Sequence, residues 1–415
     1  MQTIKNMQTI SATYRVTTPM FLGGAEHEAE LRLPSFKGVL RFWWRALAWD
    51  RVKDVSRLRD EEAALFGSSD ERGGQSKVLM RAASTNPHPD VLARTTILEE
   101  NGRSVGMGCG YLAYGVMIGF GKRAGELTRA CLRPAFTFTV AMLLKPTIAP
   151  VQKQEIEKTL KALGVFGGLG SKSRKGYGSL TLLSLKVDDK ETWKTPTDVG
   201  DLREAISTLL RPSRFPGGRS DESTPPDLPE WTAFSPASRI ILVPSDNQTR
   251  APLALLDKIG REMIRYRSWG RKGQVLSGEQ REEVFKPDHD LMIVQRHPRN
   301  AHPKRIVFGL PHNYGKKEQH KDVEPERFDR RASPLFIHVH QAAQNHQPIT
   351  VLTFLPSRFL PAGQTRLSVG GASVELDTSS LWEPVETFLE RMLNKTPEPH
   401  HRKESFGLVT EVAHG

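Results

Sequence analysis

Cysteine is the scarcest chemical resource of this chain: two thiols, Cys109 and Cys131, in 415 residues. Two are too few for a zinc ribbon, and a chain of this length needs no disulfide scaffold, so both are expected to be ordinary reduced thiols. Long apolar runs are missing as well. No stretch approaches the roughly 18 to 20 residues that a membrane span needs, and the stretch 1–13 has no apolar centre of the kind a secretory signal carries. Acidic charge is the third deficit: 47 Asp and Glu face 59 Lys and Arg, a formal net charge of +12. That balance suits an anionic partner. Nucleic acid is therefore expected rather than a membrane, and the cytosol is the expected compartment.

What is present reads as a mixed chain. At this length two domains are the natural expectation. Alternation of Ile10, Tyr14 and Val16 with polar neighbours predicts a strand over 9–17. Ser35 stands before an apolar run and is the expected N-cap of a helix that begins near Phe36. Strands are expected at 76–83, 111–118, 132–144 and 179–187, and a helix over 151–163 that stops at Gly164. The order is β, α, β, β, α, β with an insertion between the middle strands. That is the ferredoxin-like pattern, an antiparallel sheet with helices on one face, which RRM domains use to bind RNA.

Six prolines (Pro196, Pro212, Pro216, Pro225, Pro226 and Pro229) break the chain over 191–235, which reads as a connection with a short helix at 202–210. Beyond it, strands are expected at 239–243, 305–309, 335–340 and 349–355, and helices at 252–266 and 380–393. The expected division is a first ferredoxin-like domain over 1–190, the connection, a second and more divergent one over 236–395, and a mobile tail over 396–415. The fold class is α+β, two ferredoxin-like (RRM-like) domains with long insertions.

Two motifs carry the chemistry. In the first, Thr17-Thr18-Pro19-Met20-Phe21-Leu22-Gly23-Gly24 leads into a helix bearing Lys37, Arg41 and Arg45 four residues apart, one cationic stripe. Free N–H groups at the helix start would add to phosphate attraction. Gly38 weakens that helix unless a ligand comes close to its backbone. The bland reading is a solvated basic face, with Trp44 and Trp49 as core residues. The second motif is Gly167-Gly168-Leu169-Gly170-Ser171-Lys172-Ser173-Arg174-Lys175-Gly176-Tyr177-Gly178. Its glycines permit close approach, Lys172, Arg174 and Lys175 carry charge, and Tyr177 offers a stacking plane. It lacks the Gly-Lys-Ser/Thr ending of a Walker loop, and it follows a helix, unlike a Rossmann turn. Such a glycine-rich loop is expected to be mobile until RNA or a neighbouring subunit orders it; the bland reading is a surface hairpin.

Other candidates are weaker. His338 and His340 share a strand face without an evident third metal ligand. Two basic stretches have a solvated loop as their bland reading: His297, Arg299, His302, Lys304, Arg305, His312, Lys316 and Lys317, and then Arg261, Arg265, Arg267, Arg271 and Lys272. Glu26, His27 and Glu28 sit beside the first loop without a readable activating partner.

The strings Pro-Met-Phe-Leu-Gly-Gly (19–24) and Pro-Ser-Phe-Lys-Gly-Val-Leu-Arg-Phe-Trp-Trp-Arg-Ala-Leu (34–47), with Leu65-Phe66-Gly67 and the glycine-rich loop, resemble the RAMP superfamily of CRISPR-associated proteins. Within it they are most similar to the subunit-one family of the type III-B effector, the Cmr complex. The likeness is closest over 9–187 and looser beyond 235, where Arg330-Arg331-Ala332-Ser333-Pro334-Leu335 aligns. The resemblance implies a noncatalytic subunit at the end of a ribonucleoprotein filament, contacting the 3′ part of guide RNA and captured target RNA beside neighbouring RAMP subunits. It places RNA at Gly23, Gly24, Lys37, Arg41, Arg45, Gly170, Lys172, Ser173, Arg174, Lys175, Tyr177, Arg330 and Arg331, with no cofactor, metal or catalytic residue. Two alternatives stand beside it: a RAMP-type endoribonuclease that processes guide RNA, for which His27 with Lys37 is the one pairing available, and an assembly protein without direct RNA contact.

Overall fold

The computed structural model describes residues 7–24, 28–70, 74–84, 90–119, 121–211, 228–246, 249–269, 273–294, 301–315 and 321–412. It is a mixed α/β protein with several antiparallel sheets. The first half is built from β1 (Gln8–Val16), α1 (Leu33–Val52), α2 (Val55–Phe66), β2 (Val78–Ser84), α3 (Met107–Leu112), β3 (Thr137–Leu144), α4 (Pro150–Phe166) and β4 (Leu180–Val187). Its strands lie in the order β2-β3-β1-β4, with the short strand Lys190–Glu191 at the edge. All pairings are antiparallel; β1 runs against β3 from Gln8↔Leu144 to Arg15↔Thr137, and against β4 with a bulge between Thr13 and Tyr14.

Strict alternation makes this sheet one-sided. Phe138, Val140, Met142 and Leu144 of β3 and Ile10, Ala12, Tyr14 and Val16 of β1 are buried. Over them lie Phe36, Leu40, Trp43 and Trp44 of α1 and Ile156, Leu160 and Leu163 of α4. Each large side chain so buried contributes about 1.5–3 kcal/mol. Tyr14 also donates to the Leu160 carbonyl at 2.9 Å, which satisfies its hydroxyl inside the core.

The second half repeats the arrangement. β5 (Arg239–Pro244), α6 (Pro252–Arg267), β6 (Leu335–His340), β7 (Ile349–Phe354), α7 (Glu383–Met392) and β8 (Thr410–Glu411) follow α5 (Val199–Leu210). The strand order, β6-β7-β5-β8, is again second, third, first, fourth. A separate four-stranded sheet is formed by His312–Tyr314, Lys321–Pro325, Arg366–Val369 and Ala372–Glu375, in the chain on either side of the β6–β7 pair.

Four expectations need correction. Helix α1 starts at Leu33, with Pro34 in its first turn, where a missing N–H costs nothing, so Ser35 lies inside it and is not the N-cap. The stretch 111–118 is not a strand: α3 and turns replace it, because Gly108 lets that helix press against the backbone of Asp257 and Arg261 on α6. The stretch 305–309 is instead a 3-10 turn, Lys304–Phe308, whose N–H groups at Lys304 and Arg305 both donate to the Asp288 carboxylate at 2.8 Å. Finally, the chain beyond 396 does not trail away. Thr410 and Glu411 pair with Leu242 and Ile241, and Val412 is buried in the core of the first half.

Candidate nucleic-acid interface

The two motifs, about 150 residues apart in sequence, form one structural unit. Phe21 bridges Ser171, whose N–H donates to the Phe21 carbonyl at 2.9 Å, and Gly178 N–H donates to the Pro19 carbonyl at 2.9 Å. Thr18 Oγ1 donates to the Gly176 carbonyl at 2.6 Å. Arg174 reaches back to lie over the Phe42 ring of α1, 5.2 Å from its centroid. Gly170 sits so close to the Phe21 carbonyl that a side chain would collide with it. The glycines therefore serve chain crossing first, and whatever ligand the unit takes meets a formed surface.

The loop is embedded rather than projecting. The Arg174 carbonyl accepts from Ile337 N–H of β6 at 3.1 Å, and Lys175 pairs with Ile337 as an isolated parallel bridge. Arg174 donates to the Ser333 carbonyl at 2.8 Å and stacks 4.5 Å from the Phe336 centroid; burial and then Arg331 lower it to about 10. Tyr177 is fully buried, packs on Phe21 and donates to the Cys109 carbonyl at 2.9 Å. It is no stacking platform for a base, a second correction to the expected site. The bland reading of a projecting surface hairpin falls with it.

The cations differ in what they are free to do. Arg41 and Arg45 both grip Glu62 of α2, the second at 2.6 Å, and Glu62 is itself buried. Their stripe ties two helices together. Lys37, one turn earlier, is half-buried with no carboxylate acting on it; burial and then Arg41 lower its pKa. Beside it Gly38 is exposed, with nothing within 4 Å of where a side chain would stand, so the helix backbone is bare there. Gly23 and Gly24 are half-buried in the turn before α1, where Gly23 bridges Ala29; His27 and Glu26 lie outside the described residues.

Arg331 spends its guanidinium on the Phe359 and Ala332 carbonyls and Ser357 Oγ, at 2.8–2.9 Å, which leaves it structural. Its exposed neighbour Arg330 lies near enough to Lys172 to lower that lysine's pKa, after burial, so these two expected site residues do come together. Ser173 lies between Lys172 and Arg174 at the loop's half-buried turn.

The second basic stretch is sorted in the same way. Arg261 pairs with Asp257 and Glu404, and Arg265 with Glu262, Glu279 and Glu404. Arg267 has no ion pair among the described residues, and its charge is near enough to Lys175 to help lower that lysine's pKa, after burial. Sequence spacing gave no hint of that difference. His338 and His340 each hydrogen-bond a backbone carbonyl, of Gly167 at 2.7 Å and Pro196 at 2.8 Å. Among the described residues no three His, Cys, Asp or Glu side chains gather as a metal would need. No described helix is long and apolar enough to cross a membrane.

A cation-lined unit on an antiparallel α/β scaffold narrows the class, and within the chain residues 13–181 match the model of the RAMP superfamily. More specifically, it is similar to the CRISPR system Cmr subunit Cmr1-1 of Pyrococcus furiosus, 26% identical over 314 residues, 75% of this chain and 76% of that protein. It is also 25% identical over 176 residues to subunit Cmr1-2 of the same organism, 41% of this chain and 92% of that protein. Its fold matches the apo crystal structure of Cmr1 from Pyrococcus furiosus with a TM-score of 0.50 at 17% identity, covering 98% of this chain and 99% of that one.

Proposed function

We propose that this chain is an RNA-binding, noncatalytic subunit of a type III-B Cmr interference complex. It would stand at the filament end against the 3′ part of guide RNA and captured target RNA, with other RAMP subunits as neighbours in the cytoplasm. Its two halves, with the repeated strand order, are ferredoxin-like domains. The observation that carries the reading is the fusion of the two cationic motifs into one formed surface, with Lys37, Lys172, Lys175 and Arg330 lacking ion pairs among the described residues. Similarity to Cmr subunits supports it. On this reading the strand's phosphates meet cations and bare backbone, and sequence is read by guide–target pairing.

The test is binding of labelled single-stranded guide RNA by the purified chain over a salt series. Lys37→Gln with Lys172→Gln should weaken binding to unrelated sequences alike. It should also reduce the slope of log K against log salt by about 0.7 for each phosphate no longer neutralised. The RNA should emerge intact after prolonged incubation with Mg²⁺. Unaltered affinity in the folded double variant, or specific cleavage that a single substitution abolishes, would overturn the reading.

A further inference from the structure

Outside the cationic unit, a trough of about 570 Å³ runs between α4 and α5. Both helices are anchored in the core of the first sheet, through Ile156, Leu160 and Leu163 of α4 and Leu202 and Ile206 of α5. Glu157, Lys158 and Lys161 on α4, and Asp201, Glu204 and Ala205 on α5, follow helical spacing and line the space. Buried Pro196 and Leu209 and half-buried Trp193 make part of its lining apolar. The trough is formed rather than a gap beside a loose chain. Trp193 Nε1 donates to the Leu182 carbonyl of β4 at 2.8 Å, and the Thr192 and Thr195 hydroxyls donate to the Leu185 and Leu183 carbonyls at 3.2 and 2.9 Å. With its N–H spent, the indole has only apolar surface left to offer.

The charges along it are unevenly matched. Glu157 pairs with Lys161 at 2.7 Å, and Asp201 accepts from the Thr197 N–H and hydroxyl at 3.1 and 2.8 Å. Lys158 is half-buried and has no ion pair among the described residues; burial lowers its pKa against the pull of Asp50 and Glu155. Glu155 is itself held by Arg51 at 2.8 Å and by Trp44 at 3.1 Å. A volume of this order falls in the range of ligand clefts. Gln154, Lys194, Glu204 and Thr208 are exposed along the rim, so a chain can lie in the trough. A nucleic-acid backbone would carry a phosphate at every step past Glu157, Asp201 and Glu204. A peptide can bring one carboxylate to Lys158 and otherwise present apolar side chains.

We propose that the α4–α5 trough is a docking site for a peptide segment of a partner protein. One large apolar side chain of that segment fills the space beside Trp193 and Ala205, and a nearby Asp or Glu pairs with Lys158. The site stands whether or not the chain binds RNA.

A phage-displayed library of random dodecapeptides is selected on the immobilised full chain, and the most enriched peptide, labelled with fluorescein, is titrated by anisotropy. Enriched sequences should share a Leu, Phe or Trp within a few residues of an Asp or Glu. A205W, which fills the trough, should weaken the labelled peptide at least tenfold, with an unchanged dichroism spectrum and wild-type affinity for labelled guide RNA. If A205W fails to fold, K158E at its half-buried position carries the comparison. It should weaken the same peptide at least tenfold and prefer the counterpart in which Lys replaces the acid. No enrichment, a consensus without an acid, or equal affinity of wild type and the folded variant would overturn the site. Competition between the peptide and single-stranded RNA would assign the trough to nucleic acid. Self-association in sedimentation velocity that A205W abolishes would assign it to a second copy of the chain. Either result overturns the partner named here.

Discussion

At the scale of single residues, the type of each charge was legible in the sequence and its partner was not. Lys37, Arg41 and Arg45 look equivalent at four-residue spacing, yet two are taken by Glu62, which arrives on the next helix. Glu62→Gln should lower stability by about 1 kcal/mol, a value discounted because both arginines keep about a third of their surface exposed. It should also strengthen RNA binding by releasing two cations. Urea midpoints and anisotropy check both, and an unchanged midpoint would reject the clamp. His338 and His340 make a second case, since alternation put them on one face and tertiary structure put that face on the first half. Burial, aided by His340, lowers His338 to about 3; burial, with Arg15 and His346 adding and the Pro196 carbonyl opposing, lowers His340 to about 4. The unfolded chain titrates near 6.5 and so binds protons the folded chain refuses. Stability is therefore full above about pH 6.5 and falls as pH drops toward 4 and 3. In urea unfolding across pH 7 to 4, His340→Gln, which keeps a donor for Pro196, should flatten that slope; a parallel slope would count against the histidines.

At the scale of elements, periodicity reveals what is local. The expected strand at 335–340 is β6, Leu335–His340, and β7 and α6 differ from expectation by a residue at an end. Where a distant partner sets the conformation, periodicity misleads: α3 is a helix because α6 offers it a close glycine contact, and the turn at Lys304–Phe308 is fixed by Asp288. The glycine-rich loop shows both sides. Its composition announces a special backbone, but not that the cause is crossing of the 19–22 segment. Gly178 has φ +62°, and a side chain there would run into the Leu169 carbonyl; Gly176 has φ +87°, and its added carbon would stand 2.5 Å from Leu256 Cδ1. Gly178→Ala should thus cost roughly 2–4 kcal/mol, whereas Gly38→Ala, in open space on a helix, should gain about 0.5–1 kcal/mol. Urea midpoints of the two variants should move in opposite directions, and a tolerated Gly178→Ala would restore the picture of a pliable surface hairpin.

At the scale of the whole molecule, the two halves share their cores. Ile240, Leu242, Phe336, Val351, Leu355 and Val412 belong to the cluster centred on the first sheet. In return the insertion of the first half, through Leu98, Cys109, Leu112 and Met117, joins the cluster around α6. Glu100 accepts from the N–H groups of Leu253 and Ala254 at 3.0 and 2.7 Å and so caps α6 from across the seam. Val339 N–H donates to Ser179 Oγ at 3.0 Å, and Arg15 holds the Gln341 carbonyl. Two domains in sequence need not be two folding units, because contacts of this separation leave apolar surface on either piece when the other is absent. Residues 1–190 expressed alone lose the cover over Phe42, Trp43 and Tyr177, while the full chain keeps it. The full chain should therefore unfold in urea in one transition, with fluorescence and far-ultraviolet dichroism coincident. The 1–190 piece should bind a hydrophobic dye and aggregate, and adding 191–412 in trans should rescue it in part. Two separated transitions in the full chain, with a monomeric and cooperatively folding 1–190, would mean that the seam is a docking contact between independent domains. An RNA surface built across it would then depend on how the domains meet.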